Sequence, residues 1–184
     1  WLNNKWEGQK HDFSWLLKKF NPPKWEKEPE QMDYLTEESR MPLFAPMFKH
    51  IHRGKRDTSW KGNQILKFPT DLVRYSEVNY ENKPEIIVEI GTKFGGSALY
   101  FQDMLDMVGH SGQVVTIDIM DQAADKDSRI EYLIGSSTDE KIIKQVRDIT
   151  QGKKTMVVID GNHNRKQVKW ELHHYHNFVP TGQY

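Results

Sequence analysis

The sequence predicts an α/β fold, a parallel sheet with helices on both faces, behind an irregular N-terminal extension. Two observations carry this. From residue 70 onward, short runs rich in Val and Ile alternate with stretches of helical period. Strands apolar on both faces belong in a parallel sheet that helices cover. The second observation is the run Ile86-Ile87-Val88-Glu89-Ile90, which passes through Gly91-Thr92-Lys93-Phe94-Gly95-Gly96-Ser97 into a helical pattern. That is a buried strand, a tight turn and a helix N-terminus. In such sheets ligands bind in the crevice beyond the carboxyl ends of the strands.

The elements follow in order. Residues 1–69 form the extension, with five of the six tryptophans and six of the eight prolines. One amphipathic helix is legible there: Phe13, Leu16, Leu17 and Phe20 share a face, Asp12 caps it and Asn21-Pro22-Pro23 ends it. The domain proper, 70–184, opens with a helix capped by Thr70 or Asp71, carrying Leu72, Tyr75 and Val78 and stopped by Asn82-Lys83-Pro84. Then follow a strand over 86–91, a helix over 97–108, a strand over 114–119 and a strand over 130–134. A helix over 139–150, a strand over 155–160 and a helix over 165–178 complete the series.

Composition narrows the function. Lys plus Arg and Asp plus Glu balance at 26 each, so overall charge points to neither nucleic acid nor anionic membrane. No apolar run approaches the ~18–20 residues that span a bilayer. The absence of cysteine excludes disulfides and thiol chemistry and makes a reducing cytoplasm the default location. The chain opens on Trp1 rather than Met, and Val179-Pro180-Thr181-Gly182-Gln183 reads as a turn entering another strand. A fragment of a longer protein is therefore expected.

Polar residues gather where this architecture places its ligand. Glu89 and Gly91 end the first strand, Asp118 and Ile119 the second, Gly135-Ser136-Ser137 follow the third, and Asp160 ends the fourth. A carboxylate after the second strand suits a ribose, whose hydroxyls donate to it. A glycine at the first turn permits close backbone approach. The turn does not match the dinucleotide fingerprint, because Lys93 stands where the second glycine would admit a pyrophosphate. A P-loop is also absent. S-adenosylmethionine (SAM), an adenosine ligand without pyrophosphate, fits better than NAD.

Several of these motifs, in order, resemble a known family. Trp60-x-Gly62, Lys67-x-Pro69-x-Asp71-Leu72, Lys83-Pro84, Glu89-Ile90-Gly91-Thr92, Gly95-Gly96-Ser97-Ala98, Ile117-Asp118-Ile119, Gly135-Ser136-Ser137 and Asp160-x-x-His163 are similar to the cephalosporin hydroxylase family. That family comprises SAM-dependent class I methyltransferases, rhamnosyl O-methyltransferases among them. The resemblance covers residues 60–184. It implies a Rossmann-like class I methyltransferase sheet, truncated at the C-terminus, and methyl transfer to a hydroxyl of a small molecule or sugar. It implies SAM held by Glu89, Gly91, Thr92, Gly95, Gly96, Ser97, Asp118, Ile119, Ser136 and Ser137.

For the chemistry, the resemblance points to Asp160 and His163, one as ligand or anchor and the other as base; His163 could instead cap the next helix. Members that use Mg²⁺ join the strand-four aspartate to an acidic pair at the end of the fifth strand. Here that pair would lie beyond Tyr184, and Asn162 stands in place of a second carboxylate. Asp160 is the one candidate ligand and alone a poor one.

Plainer readings stand beside these. Glu89 could accept backbone N–H bonds, and Ser136 or Ser137 could cap the helix over 139–150. His173, His174 and His176 read as a solvated helix face rather than a metal site. His50, His52 and the basic Arg53-Gly54-Lys55-Arg56 read as a solvated loop. The tryptophans of the extension read as packing residues, with a substrate lid or a homo-oligomer contact as second choice. A non-catalytic SAM-fold scaffold is the main alternative, and an NAD-dependent oxidoreductase the weaker one.

Overall fold

The computed structural model describes residues 53–184 except residue 110. The helix expected over 13–20, the four tryptophans before Trp60, and His50 and His52 lie outside the described residues.

A central strand with a parallel neighbour on each side organises the domain. Strands β3 (Ile86–Ile90), β4 (Gln113–Asp118), β5 (Glu131–Ile134) and β6 (Thr155–Ile159) form one sheet in the order β5-β4-β3-β6, with every pair parallel. All five residues of β3 are buried, as a run of Ile and Val covered on both faces requires. Alternate residues face opposite layers. Ile87 and Val114 pack with Leu99, Phe101 and Leu105 on one side, whereas Ile86, Val88 and Ile117 pack with Ile142, Val146 and Tyr175 on the other. Helices α1 (Pro69–Asn82) and α2 (Gly96–Met107) belong to the first layer, α3 (Glu140–Thr150) and α4 (Arg165–Tyr175) to the second. The predicted α/β architecture is thus the observed one.

Several boundaries differ for physical reasons. α1 starts at Pro69, with Phe68 in the N-cap position, not at a cap on Thr70 or Asp71. Proline at the first helical position loses no bond, because that N–H has no intrahelical partner. Asp71 falls within the first turn, where its charge suits the helix dipole. β3 and β6 stop at Ile90 and Ile159, one residue before the expected Gly91 and Asp160, and β4 stops at Asp118 rather than Ile119. The last helix is not continuous over 165–178: α4 ends at Tyr175 and a 3₁₀ turn covers His176–Phe178. Asn164 caps α4 by accepting from the Lys166 N–H at 3.0 Å, so His163 is not the cap. Asp139 occupies the N-cap of α3, so neither Ser136 nor Ser137 does.

A hairpin that the sequence does not announce lies over α2. Strands β1 (Ser59–Trp60) and β2 (Asn63–Gln64) pair antiparallel, and Lys61 and Gly62 turn between them at φ 49° and 85°. Strands of two residues have no alternation to detect. Trp60 anchors the hairpin by donating to Asp103 at 2.7 Å and by an edge-to-face contact with Tyr100. Ile65, 1% exposed, joins the same core as α2. At the far end the chain turns over 180–183, and the Val157 N–H of β6 donates to the Tyr184 carbonyl at 2.8 Å.

Gly96 is what lets the hairpin approach. A Cβ there would lie 2.3 Å from the Gln64 carbonyl oxygen and 2.7 Å from that of Asn63. Gly96→Ala should therefore destabilise by about 1–3 kcal/mol, as overpacking does. Gly54→Ala, where a Cβ meets nothing within 4 Å, should be near neutral. Urea midpoints of the two variants test this.

Candidate functional site

Strands 3-2-1-4 in chain sequence, counted from β3, make the gap between β3 and β6 the point where strand order reverses, and a crevice opens there at the carboxyl ends. A cavity of about 630 Å³ occupies it. Its walls come from the turn after β3, the ends of β4 and β5, the loop after β6, and the segment following the hairpin.

Gly91 sets the crevice. Its φ is 107°, and a Cβ would lie 2.4 Å from the Asp160 carbonyl oxygen. Only glycine allows the two strand ends to meet this closely. The ladder continues past the strands, with Asp160 N–H donating to Ile90 and Gly91 N–H donating to Ile117. Asp118 therefore projects beside the turn. Its Oδ2 accepts from the Lys93 N–H at 2.9 Å and its Oδ1 from the Met120 N–H at 3.1 Å. Each oxygen retains a further lone pair for a ligand.

Below the turn lies a buried polar chain. Thr116 donates to Glu89 Oε2 at 2.8 Å, so the 2.7 Å contact between Thr92 and Thr116 has Thr92 as donor. Glu89 is wholly buried and its Oε1 has no hydrogen-bond partner. Burial pushes the Glu89 pKa up, against the pull of the Lys67 charge.

Lys67 is 5% exposed and holds Asp160 Oδ2 at 2.5 Å. Burial would lower its pKa, but Glu89 and Asp160 outweigh burial and hold it above the usual lysine value. The rings of Tyr75 and Phe101 lie 5.7 and 5.9 Å from the ammonium.

The structure brings most of the predicted site residues to one cavity. Gly91, Thr92, Ser97, Asp118, Ile119, Ser136, Ser137, Asp160 and His163 line it. Glu89, Gly95 and Gly96 do not. Glu89 lies in the floor, Gly96 faces the hairpin, and Gly95 caps α2 at φ 83° beside Ala123. The His163 side chain is 80% exposed, with Nε2 3.9 Å from Asp160 Oδ1, outside hydrogen-bond reach. His174 stacks on Trp170 at 3.6 Å, and His173 and His176 are exposed.

Mg²⁺ does not fit the described residues by themselves. Asp160 Oδ2 is taken by Lys67, and Asn162 Oδ1 accepts from the Asn164 N–H. Among the described residues no group of three His, Cys, Asp or Glu could hold a metal. Sequence reasoning also missed site residues. Lys67 meets a partner 93 residues away, and Gln167 and Glu171 of α4 line the cavity through a helix face that reads as ordinary amphipathic sequence.

The family model described as Rhamnosyl O-methyltransferase/CmcI matches residues 53–184. The chain belongs to this family. A rhamnosyl O-methyltransferase of Mycobacterium leprae (strain TN) is 30% identical over 132 residues, covering 69% of this chain and 58% of that protein. One of Mycobacterium tuberculosis (strain ATCC 25618 / H37Rv) is 29% identical over 133 residues, covering 69% and 54%. The chain thus spans little more than half the length of these relatives. Among solved structures, a CmcI with Mg and SAM is 24% identical with a TM-score of 0.57, covering 70% of this chain and 55% of that one. A caffeoyl-CoA O-methyltransferase homologue from Staphylococcus aureus is 16% identical with a TM-score of 0.50, covering 75% and 67%. These two likenesses show a shared fold.

The buried charges make two tests. Lys67→Met leaves Glu89 and Asp160 without their cation and should cost about 3 kcal/mol, part of it recovered by adding Asp160→Asn; urea unfolding of both variants measures this. For Glu89 the raised folded pKa fixes the sign. The proton it holds stabilises the fold below the unfolded value of 4.5, and that contribution is lost as pH rises through the folded pKa. Glu89→Gln should therefore gain stability relative to the parent as pH rises above 4.5, measured by urea midpoints across a pH series.

Proposed function

We propose that this chain is the cofactor-binding portion of a SAM-dependent O-methyltransferase acting on a hydroxyl of a sugar or other small molecule. Residues 70–184 form the binding domain, with Lys67 and the hairpin added from the segment before it. The observation that carries this reading is Asp118. It stands at the carboxyl end of β4 with its side chain held by two backbone N–H groups and its remaining lone pairs available. Two vicinal ribose hydroxyls can donate to such a carboxylate.

The rest of the cavity supports the same ligand. Gly91, without a Cβ, lets the methionine part approach the turn, and Thr92 and Ser97 lie alongside. Lys93 stands in the turn where the dinucleotide fingerprint has its second glycine, which disfavours NAD. A volume of about 630 Å³ falls in the ~300–1,000 Å³ range of small-molecule sites. The two mycobacterial relatives named above are rhamnosyl O-methyltransferases, which supports a glycosyl hydroxyl as acceptor.

Methyl transfer is an in-line displacement at a sulfonium. The protein must align the acceptor oxygen with the methyl group and take up its proton. Asp160, fixed by Lys67, anchors the acceptor side, and His163 at the cavity mouth is the group able to accept the proton. Among the described residues no helix is long and apolar enough to cross a membrane.

One observation favours a second reading, a fold kept for binding alone: Lys67 already neutralises Asp160, and Asn162 is uncharged at the acceptor end. Calorimetry and a methyl-transfer assay separate the two. SAM should bind, NAD should not, and Asp118→Asn should weaken SAM binding by about tenfold or more. Methyl transfer onto a rhamnoside supports the enzyme, and SAM binding without transfer to any hydroxyl supports the binding module. Failure of SAM to bind removes both. His163→Ala with little loss of turnover removes His163 as the base.

A further inference from the structure

The basic run Arg53-Gly54-Lys55-Arg56 reads in sequence as a solvated loop, but the structure ties it to the site. The Arg56 and Asp57 N–H groups turn back onto the Arg53 and Gly54 carbonyls, each at 3.0 Å. Gln64 of the hairpin donates through Nε2 to the Arg56 carbonyl, and the Ile65 N–H donates to the Thr58 carbonyl at 2.9 Å. The turn is therefore fixed to the hairpin. Arg53 and Arg56 are exposed, whereas Lys55 is half-buried and lines the cavity. Its ammonium lies 5.4 Å from the centroid of the Phe68 ring, a cation–π contact.

Position and charge decide what Lys55 can do. Phe68 follows Lys67 in the chain, and Lys67 pairs with Asp160 just after β6. Strand order sets β6 on one side of β3 and β4, which ends in Asp118, on the other. Lys55 thus stands on the Asp160 side, which the ribose contact at Asp118 leaves to the acceptor. The carboxylates lining the cavity already have partners: Lys67 for Asp160, two backbone N–H groups for Asp118, and Ser137 and Gln167 for Glu171. Among the described residues no carboxylate pairs with Lys55. Arg53 and Arg56 flank it and outweigh Asp57, so the potential at this end of the cavity is positive. An ammonium only donates, and the acceptor that satisfies it best is an oxyanion.

We propose that Lys55 determines specificity for the methyl acceptor, and that this acceptor is a glycoside that also carries an oxyanion, a carboxylate or a phosphate. This role rests on SAM occupying the Asp118 side of the cavity. A lysine ammonium is a compact point charge and serves either anion. A neutral glycoside leaves that charge unmatched, whereas an anionic one forms a charge-assisted hydrogen bond on the face of the ammonium that Phe68 does not cover.

The test is calorimetric titration of methyl rhamnoside, carboxymethyl rhamnoside and rhamnosyl phosphate into the chain saturated with S-adenosylhomocysteine. The three probes share their ring hydroxyls and differ in charge. At low ionic strength one or both anions should bind about fivefold or more tighter than the neutral glycoside, and the tighter one identifies the anion. Lys55→Met keeps an apolar stem on Phe68 and removes the charge, so the preference should fall below about twofold with S-adenosylhomocysteine affinity unchanged. Lys55→Arg should retain the preference, and thermal melts establish that both variants fold. A parent chain that prefers neither anion, or binds none of the three probes, overturns the proposal and leaves the SAM reading standing. So does a folded Lys55→Met that keeps the preference. A Lys55→Met that loses S-adenosylhomocysteine affinity to the same extent also overturns it, because Lys55 then serves the methionine carboxylate. Failure of S-adenosylhomocysteine to bind the parent overturns the SAM reading and this proposal with it.

Discussion

The site depends on how closely two strand ends can approach. Gly91 and the Asp160 carbonyl meet at a distance no Cβ would allow, and that contact sets β3 beside β6 where the strand order reverses. The crevice, the position of Asp118 and the direction in which Asp160 points all follow from it. A side chain at residue 91 would have to displace backbone, in a conformation that L residues rarely adopt. The turn glycine is as much a packing requirement of the sheet as a concession to a ligand.

Charge organises the floor of that crevice. Glu89, Lys67 and Asp160 come from three separated stretches of chain, and two of them are almost wholly buried. Isolated charges of this kind would be expelled from the interior. Together they hold the hairpin segment against the sheet and fix the strand-four aspartate. The same pairing takes up a carboxylate oxygen that a divalent cation would need, so the charge of Asp160 is balanced by a lysine among the described residues. Thr92 and Thr116 extend the order upward to the turn, each hydroxyl with one donor assignment.

Legibility in the sequence followed period and locality. The strands were readable because Ile and Val crowd five- and six-residue runs, and the helices because their apolar residues recur at helical spacing. Asp118 and the Gly91 turn were readable because strand-end carboxylates and turn glycines are local signals. The hairpin of Ser59–Gln64 escaped because strands of two residues carry no period. The close approach of the hairpin at Gly96 was not readable, because a glycine pair looks the same whether it admits a cofactor or a neighbouring backbone; here its Cβ position faces Gln64. The caps were misjudged by one to three residues because several neighbours at each helix start are equally good capping or first-turn residues.

Sequence by itself determined the α/β class, the order of strands and helices, and the set of polar residues at strand ends, since each is written in neighbours a few positions apart. Only the tertiary structure decided which of those residues share a cavity and what each is already bonded to. Lys67 finds Asp160 across 93 positions, and Glu171 finds Ser137 across 34. Such pairings are chosen by burial, because a charge removed from water must meet a partner wherever the fold presents one. No local pattern encodes that choice, and it is what gives the site its polarity.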